Sequence, residues 1–526
     1  MADIEAIGRV PHPAGSADHE RIRGYLVKRL ESLGFHVVTH PVPLTATGRK
    51  AVDRQGGKAV PSPRLVNIVA TYPGTDPAMP AVLLMAHYDS VWGSPAAADD
   101  GAGVASVLEA SRAILSQGRP RRTLMVLFTD GEELGLDGAH GFFSADPLRK
   151  KVGVVVNTEA RGGGGRTSMF ETGEDNGVMM RLFARSVHRP VASSLSVFVY
   201  KVLPNDTDMT ESKAVGLPGF NFAFIGRPQL YHSPAATPAA LDQGAMQDMG
   251  RQVLDIARGL LSAQKLPGRA PDLVFFDLFG LVFVHYAAAF GWAILGLAIA
   301  GYAIGGWKRT RAGALGRGFA SLLLLVAGAG VALWLFNLLS GAGPNVNYYD
   351  RLAAIPRLEA QALLICAAVW TLVTGWTGIR REETTPGFAI GAAIPLLALG
   401  AVAQALAPTA AYPILVPLLL GGMALAASRL GKLAGTLAGS AAAMIGIGYM
   451  LTLGHLAMQA VGPVMPFAAV VPLALSSALA WPLVRITASG RATFFSAILL
   501  FAAAGIALWV RLDPIAPTVA VYSSDH

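Results

Sequence analysis

The chain has 526 residues, 53% of them hydrophobic and only 14% charged, with a positive mean hydropathy. Soluble globular chains carry about 25% charged residues, so these totals exclude a disordered chain and argue against a fully soluble one. Of the 34 Asp and Glu, 26 fall in residues 1–270, which leaves 8 for residues 271–526. The first half therefore reads as an ordinary soluble domain and the second as one that lives in lipid. The net charge of +8 comes from basic residues that are dispersed or sit between apolar runs. That is the footprint of membrane topology rather than of a phosphate-binding face, so no nucleic acid is expected as a partner. The single cysteine, Cys366, lies in an apolar run and reads as a small buried hydrophobe; no intramolecular disulfide is possible.

In chain order, Ile22, Leu26, Leu30 and Leu33 recur at helical spacing, with Ser16 or Asp18 as N-cap. Gly34 ends that helix and FHVVTH begins an extended segment. Apolar runs at 65–70, 81–86, 123–128 and 152–156 read as strands, and the stretches 101–116 and 176–188 between them as helices. This alternation predicts an α/β fold, a mixed and mainly parallel sheet flanked by helices with its central strands buried on both faces. KLPGRAPD at 265–272 is a linker, which places a soluble domain at 1–268 and a multi-pass transmembrane domain at 269–526.

Eight apolar stretches follow, near 278–304, 318–340, 361–379, 387–407, 412–428, 433–461, 463–484 and 492–510. Each approaches or exceeds the roughly 17–25 residues that a spanning helix needs. The fifth is short and holds Pro413 and Pro417. Alternate loops carry Lys308, Arg309, Arg311 and Arg317, then Arg380 and Arg381, then Arg429 and Lys432, then Arg485 and Arg491; the others hold only Arg351, Arg357 and Arg511. The positive-inside rule puts the first set in the cytoplasm and the N-terminal domain on the opposite side. Export of such a domain requires a signal or a spanning helix before it. No basic-then-apolar segment precedes residue 20, so a first helix upstream of this chain is expected.

Chemistry-bearing residues cluster at the expected strand ends. His87, Tyr88 and Asp89 follow AVLLMA; Asp99 and Asp100 stand where a helix should start; Glu132 and Glu133 follow TLMVLFTDG; Glu159 follows VGVVVNT; His232 lies in YHSP. Ligands bind at the carboxyl ends of the strands in open α/β sheets, so these groups can converge on one crevice. Imidazoles and carboxylates suit zinc or a similar divalent ion, and two ions can share one bridging carboxylate. Of two adjacent buried acids, one can bind metal while the other takes a proton from the attacking water. Taken singly, an HxD is more often a hydrogen-bonded cap, a DD an N-cap, an EE a solvated face and a YH packing. Their joint order at successive strand ends is what points to a metal centre.

These residues resemble the co-catalytic dizinc exopeptidases that include bacterial leucine aminopeptidases, aminopeptidase Y and glutamate carboxypeptidase. PHPAGSADHERIRGYL, FTDGEELGLDGAHGF, NDTDMT and YHSPAATP are similar to the branch of endoplasmic-reticulum metallopeptidases and fungal vacuolar-membrane proteases, over most of residues 8–262. The resemblance implies two zinc ions per chain, one held by His87 and Glu159, the other by Glu133 and His232, with Asp99 bridging. It implies Glu132 as general base, Asp89 as the residue that orients His87, and Tyr231 as donor to the oxyanion. The implied activity is an aminopeptidase-type hydrolysis of peptides by a metal-activated water on the non-cytoplasmic side of a lipid bilayer.

Glu159 departs from the Asp of typical aminopeptidases, which weakens any inference to the substrate end. ARGGGGRTSMFETG after it suggests Arg161 as partner of a carboxylate and Glu171 as partner of a free amino terminus, against a plain glycine loop with solvated charges. Asp206 and Asp208 match a family motif and read as structural or substrate-proximal. His285 and His455 are candidate intramembrane ionisable groups. The alternatives are a carboxypeptidase or dipeptidase with the same centre, a binding or transport protein with a degenerate peptidase domain, and a single-zinc glutaminyl cyclase. No GxxxxGK[ST] loop occurs, so nucleotide chemistry has no support. Oligomeric state is left open.

Overall fold

The computed structural model describes residues 1–55, 60–203, 205–344, 346–377, 385–462, 464–481 and 489–516. It falls into two compact units, one spanning Met1–His285 and one beginning at Tyr286. The first unit opens with α1 (Ala2–Ile7), α2 (Ala17–Ser32), β1 (His36–Val42), α3 (Ala46–Arg54), β2 (Leu65–Tyr72) and β3 (Ala81–His87). It continues with α4 (Gly101–Leu115), β4 (Leu124–Thr129), α5 (Asp137–Ala145), β5 (Val152–Ala160) and β6 (Ser168–Thr172). After these come α6 (Gly177–Ser186), α7 (Ser194–Val202), α8 (Asp208–Ala214), β7 (Gly219–Phe224) and α9 (Gln243–Ser262). The expected helix is α2, and Ser16 caps it by accepting the His19 N–H at 3.2 Å.

The seven strands order as β1-β2-β4-β3-β5-β7-β6. The inner pairs β4–β3, β3–β5 and β5–β7 are parallel, and the outer pairs are antiparallel. The sheet is thus mixed, with a parallel centre. Side chains alternate across it as strand geometry demands. Val82, Leu84 and Ala86 of β3 join a core with α2, α4 and α9, while Leu83 and Met85 pack with Phe142 and Phe143 of α5 on the other face. Both faces are covered, which is why the central strands read as continuous apolar runs.

β8 (Leu273–Leu278) and β9 (Val282–Ala287) form a separate two-stranded sheet. Residues from 278 were expected to begin a membrane helix, and here the structure corrects the sequence reading. Phe279 and Gly280 turn with φ of 57° and 67°, and the aromatic and β-branched VFVHYA pairs back as a strand. His285 therefore lies on β9 and not in a membrane helix.

The second unit is helical: α10 (Phe290–Gly306), α11 (Ala312–Leu339), the short α12 (Tyr348–Ala353), α13 (Ile355–Thr377), α14 (Thr385–Leu406), α15 (Tyr412–Ala427), α16 (Lys432–Val461), α17 (Val470–Ala480) and α18 (Ser489–Leu512). Among the described residues, α11, α13, α14, α16 and α18 are long and apolar enough to cross a membrane, and α10, α15 and α17 are shorter apolar helices. This is a multi-pass membrane architecture. Pro417 lies inside α15. Arg380, Arg381 and Arg485 lie outside the described residues. His455 on α16 pairs with Glu359 on α13 at 2.8 Å, with the imidazole about half exposed on the outside of the helical unit.

Two leucines mark the contrast between core and periphery. Leu84 is fully buried and Leu281 is 81% exposed. Leu84→Ala should cost about 2–5 kcal/mol and lower the melting temperature of the detergent-solubilised chain by several degrees. Leu281→Ala should stay within about 0.5 kcal/mol. Equal shifts for the two would contradict the core assignment.

Candidate metal centre

The parallel centre of the sheet sends the carboxyl ends of β4, β3, β5 and β7 to one edge, and the polar residues gather there. His87 closes β3 and is 1% exposed. Asp99 and Asp100 precede α4, and the Asp100 carboxylate caps that helix by accepting the Gly103 N–H at 3.0 Å. Glu132 and Glu133 stand on the turn after β4, Glu159 near the end of β5, and Tyr231 and His232 on the loop after β7. His232 has φ 52°, a left-handed conformation that costs a non-glycine residue about 1–3 kcal/mol and persists where the surroundings enforce it.

All five residues implied as ligands come together. Asp99 Oδ1 lies 3.1 Å from His87 Nε2, and Asp99 Oδ2 lies 3.2 Å from His232 Nε2. Glu159 Oε2 is 3.7 Å from His87 Nε2, and Glu133 Oε1 is 3.1 Å from His232 Nε2. Two groups result, His87–Asp99–Glu159 and Asp99–Glu133–His232, each with its ligand atoms within 4.8 Å of one another. Glu132 joins a third such group with His87 and Glu133.

Asp89 faces both His87 and the acidic turn after β4. His87 Nδ1 lies 3.1 Å from the Asp89 backbone carbonyl and 3.5 Å from its carboxylate. The carboxylate also accepts the backbone N–H groups of Glu132 and Glu133, at 3.1 and 3.2 Å. One side chain thereby fixes the acidic turn after β4 against the end of β3. Tyr231 stacks on the His232 ring, centroids 3.7 Å apart.

The electrostatics are those of a buried site crowded with acids. Burial, then the neighbouring Glu133, Asp208 and Asp99, holds the Glu132 carboxyl well above the usual range. Burial and then Glu132 do the same to Glu159, and burial raises Glu133. Burial also pushes Asp208 up to about 7. Asp99 goes the other way: burial opposes its charge, but hydrogen bonds with His232 and His87 hold it at about 2. For His232, burial disfavours the cation, yet Glu133 and Asp99 raise it to about 10. Among the described residues no lysine or arginine pairs with Asp89, Asp99, Glu132, Glu133 or Glu159. Glu133 Oε1 is buried beside His232 Nε2, 3.1 Å away. Two imidazoles facing this excess of carboxylates suit one or two divalent cations.

Some contributors carried only a faint sequence signal. Asn157, inside β5, donates to Glu159 Oε1 at 3.2 Å and to Asn221 Oδ1 on β7 at 3.0 Å. Asp130 accepts the Val66 N–H at 2.7 Å and the Tyr88 hydroxyl at 3.1 Å, and pairs with His19 of α2 at 3.0 Å. This network anchors the turn that carries Glu132. A polar residue inside an apolar strand was the available clue for Asn157, and an acid directly after the TLMVLFT run for Asp130. Asp208 accepts from the Thr129 hydroxyl, and Asp206 from Thr210 at 3.1 Å. Glu171 is 3% exposed, pairs with Lys213, and accepts from Asn221 at 2.9 Å. It is therefore not available to a substrate amine.

The model of peptidase family M28 matches residues 67–257. The chain is 30% identical over 305 residues to endoplasmic reticulum metallopeptidase 1 of Rattus norvegicus, an alignment covering 55% of this chain and 34% of the relative. It is 31% identical over 275 residues to a vacuolar membrane protease of Candida dubliniensis, covering 51% of this chain and 28% of the relative. The chain thus spans roughly a third or less of the length of the curated relatives it matches. An aminopeptidase from Aneurinibacillus sp. strain AM-1 superposes with a TM-score of 0.41 at 14% identity, over 51% of this chain and 96% of that one. Across its first half the chain is therefore similar to peptidase family M28, with relatives named as a metallopeptidase of the endoplasmic reticulum and a protease of the vacuolar membrane.

Proposed function

We propose that residues 1–268 form a zinc-dependent exopeptidase domain, carried by the multi-pass unit on the non-cytoplasmic side of the membrane and acting on peptides. The observation that carries the reading is Asp99, whose two oxygens face two different imidazoles, each with one further carboxylate beside it. That arrangement supports two zinc ions, with His87 and Glu159 on one, Glu133 and His232 on the other, and Asp99 between them. Zinc there would supply a Lewis acid that polarises a carbonyl and acidifies water to a pKa of about 7.

The chain's own residues supply the rest. Glu132 receives a proton from the attacking water and passes it to the leaving nitrogen, and its raised carboxyl pKa suits that exchange. The Tyr231 hydroxyl donates to the developing oxyanion. Asp89 holds the acidic turn, so that Glu132 and Glu133 keep separate tasks. The side of the membrane is read from Lys308, Arg309 and Arg311 between α10 and α11, and from Arg429 and Lys432 at the turn from α15 to α16. Aminopeptidase-type action was the first expectation for the substrate end. The engagement of Glu171 with Lys213 favours the carboxypeptidase or dipeptidase alternative.

The test is metal analysis of the purified full chain beside hydrolysis of a panel of free- and blocked-terminus peptides. Close to two zinc ions per chain are expected. Glu132→Ala should retain them while losing about 10²–10⁴-fold in kcat. One ion and no hydrolysis by the unaltered chain would overturn the reading.

Metal removal should also expose a pH dependence. In the metal-free folded state Asp208 and His232 titrate at about 7 and 10, against ordinary values of 3.8 and 6.5. The folded state therefore binds more protons than the unfolded chain across this interval, and stability falls as pH rises. Each contribution is complete below the ordinary value and is lost as pH climbs through the folded one. Asp99, held at about 2, acts oppositely, but only below its ordinary 3.8. The melting temperature of the chelated protein should drop between about pH 5 and 9, and added zinc should restore most of the loss. A melting temperature that rises over this interval would contradict the electrostatic picture.

A further inference from the structure

Arg161 stands two residues beyond Glu159, where β5 is still bonded to β7 through the Arg161 N–H and the Phe224 carbonyl at 3.0 Å. Its guanidinium carbon lies 5.8 Å from the centroid of the Tyr231 ring, and that ring stacks on His232 with centroids 3.7 Å apart. The cation is therefore one aromatic ring away from an imidazole of the site. Its backbone is closely seated: Gly163 and Gly164 both donate to the Gly226 carbonyl at 3.0 Å.

Among the described residues no carboxylate pairs with this guanidinium, although the side chain is half-buried. Several other arginines of this unit are engaged, Arg166 with Asp248, Arg227 with Asp242 and Arg122 with three backbone carbonyls, whereas Arg181 is exposed to solvent. Arg161 meets only a ring face and leaves its fork of five donors unspent, the geometry that takes a carboxylate bidentately. The acid that might have received a substrate amine, Glu171, is occupied by Lys213 and Asn221. Recognition at this site is thus biased toward an anion.

We infer that Arg161 binds the terminal carboxylate of the substrate residue on the leaving side of the scissile bond, making the chain a carboxypeptidase or dipeptidase. The inference rests on the peptidase reading above. One residue of extended peptide spans about 3.3–3.6 Å. A carbonyl held beside His232 therefore leaves the next carboxylate in reach of a cation just beyond the Tyr231 ring.

The test uses the full zinc-loaded chain and two peptides of one sequence, one N-acetylated with a free carboxyl terminus, the other with a free amine and a carboxyl-terminal amide. The free-carboxylate peptide should be cleaved with a kcat/KM at least about tenfold higher, as expected when a charge pair at a desolvated site is completed. In Arg161→Gln the ratio of the two values should fall toward one, mainly through a raised KM for the free carboxylate. Arg161→Lys should restore part of the ratio, which separates recognition from a folding defect. Equal cleavage of both peptides by the unaltered chain, or preference for the amide, would overturn the inference and leave the peptidase reading standing. So would a loss in Arg161→Gln that affects both peptides alike while Arg161→Lys restores both. Cleavage by the unaltered chain of neither peptide, nor of a dipeptide with both termini free, would overturn the peptidase reading and this inference together.

Discussion

Asp99 turns one carboxylate oxygen to His87 and the other to His232, and much of the first unit serves to keep it there. A buried carboxylate between two imidazoles is tolerable because each bond favours its charged form, which is why Asp99 stays ionised at about 2 while its neighbours are driven upward. For Glu132, Glu133 and Glu159 burial outweighs the relief that the imidazoles give. Among the described residues no lysine or arginine pairs with these carboxylates, a charge imbalance that divalent cations would neutralise. That imbalance, more than any single distance, explains why metal chemistry is the reading the residues support.

The sheet makes this concentration possible. Three parallel pairings at its centre bring four strand ends to one edge, and each end delivers a different piece of the site. The outer antiparallel strands add no implied ligand; β1 and β2 extend the platform that α2 and α5 cover. The supporting bonds are equally local. Asp89 reaches the backbone of Glu132 and Glu133 because β3 and β4 are neighbours, and Asn157 reaches Asn221 because β5 and β7 are. A polar side chain buried in an apolar strand is costly unless paired, and each of these pays its way by orienting an acid.

Much of this was legible from residue order. Strand ends carrying His87, Glu132, Glu133 and Glu159 follow from short apolar runs bounded by polar residues, and the helix starting after Asp100 follows from capping chemistry. The hairpin at β8–β9 was not legible, because a continuous apolar stretch from residue 278 satisfies both a strand pair and the start of a spanning helix. The turn at Phe279 and Gly280 decides between them, and a positive φ leaves little trace in composition. Likewise, nothing in the sequence separates the Asp89 carboxylate from its backbone carbonyl as the group nearest His87 Nδ1.

Sequence by itself determined the division between a charged and an apolar half, the α/β alternation, and the set of residues able to hold metal, since each depends on local periodicity and residue chemistry. Tertiary structure alone decided which acids are spent and which cations are free. Glu171 and Arg161 lie ten positions apart in one stretch and look equally available in the sequence. Lys213 and Asn221 reach Glu171 from α8 and β7, while among the described residues Arg161 meets the ring of Tyr231 and no carboxylate. Pairings of that kind depend on which strands lie side by side, and strand order is a property of the folded sheet rather than of any segment within it.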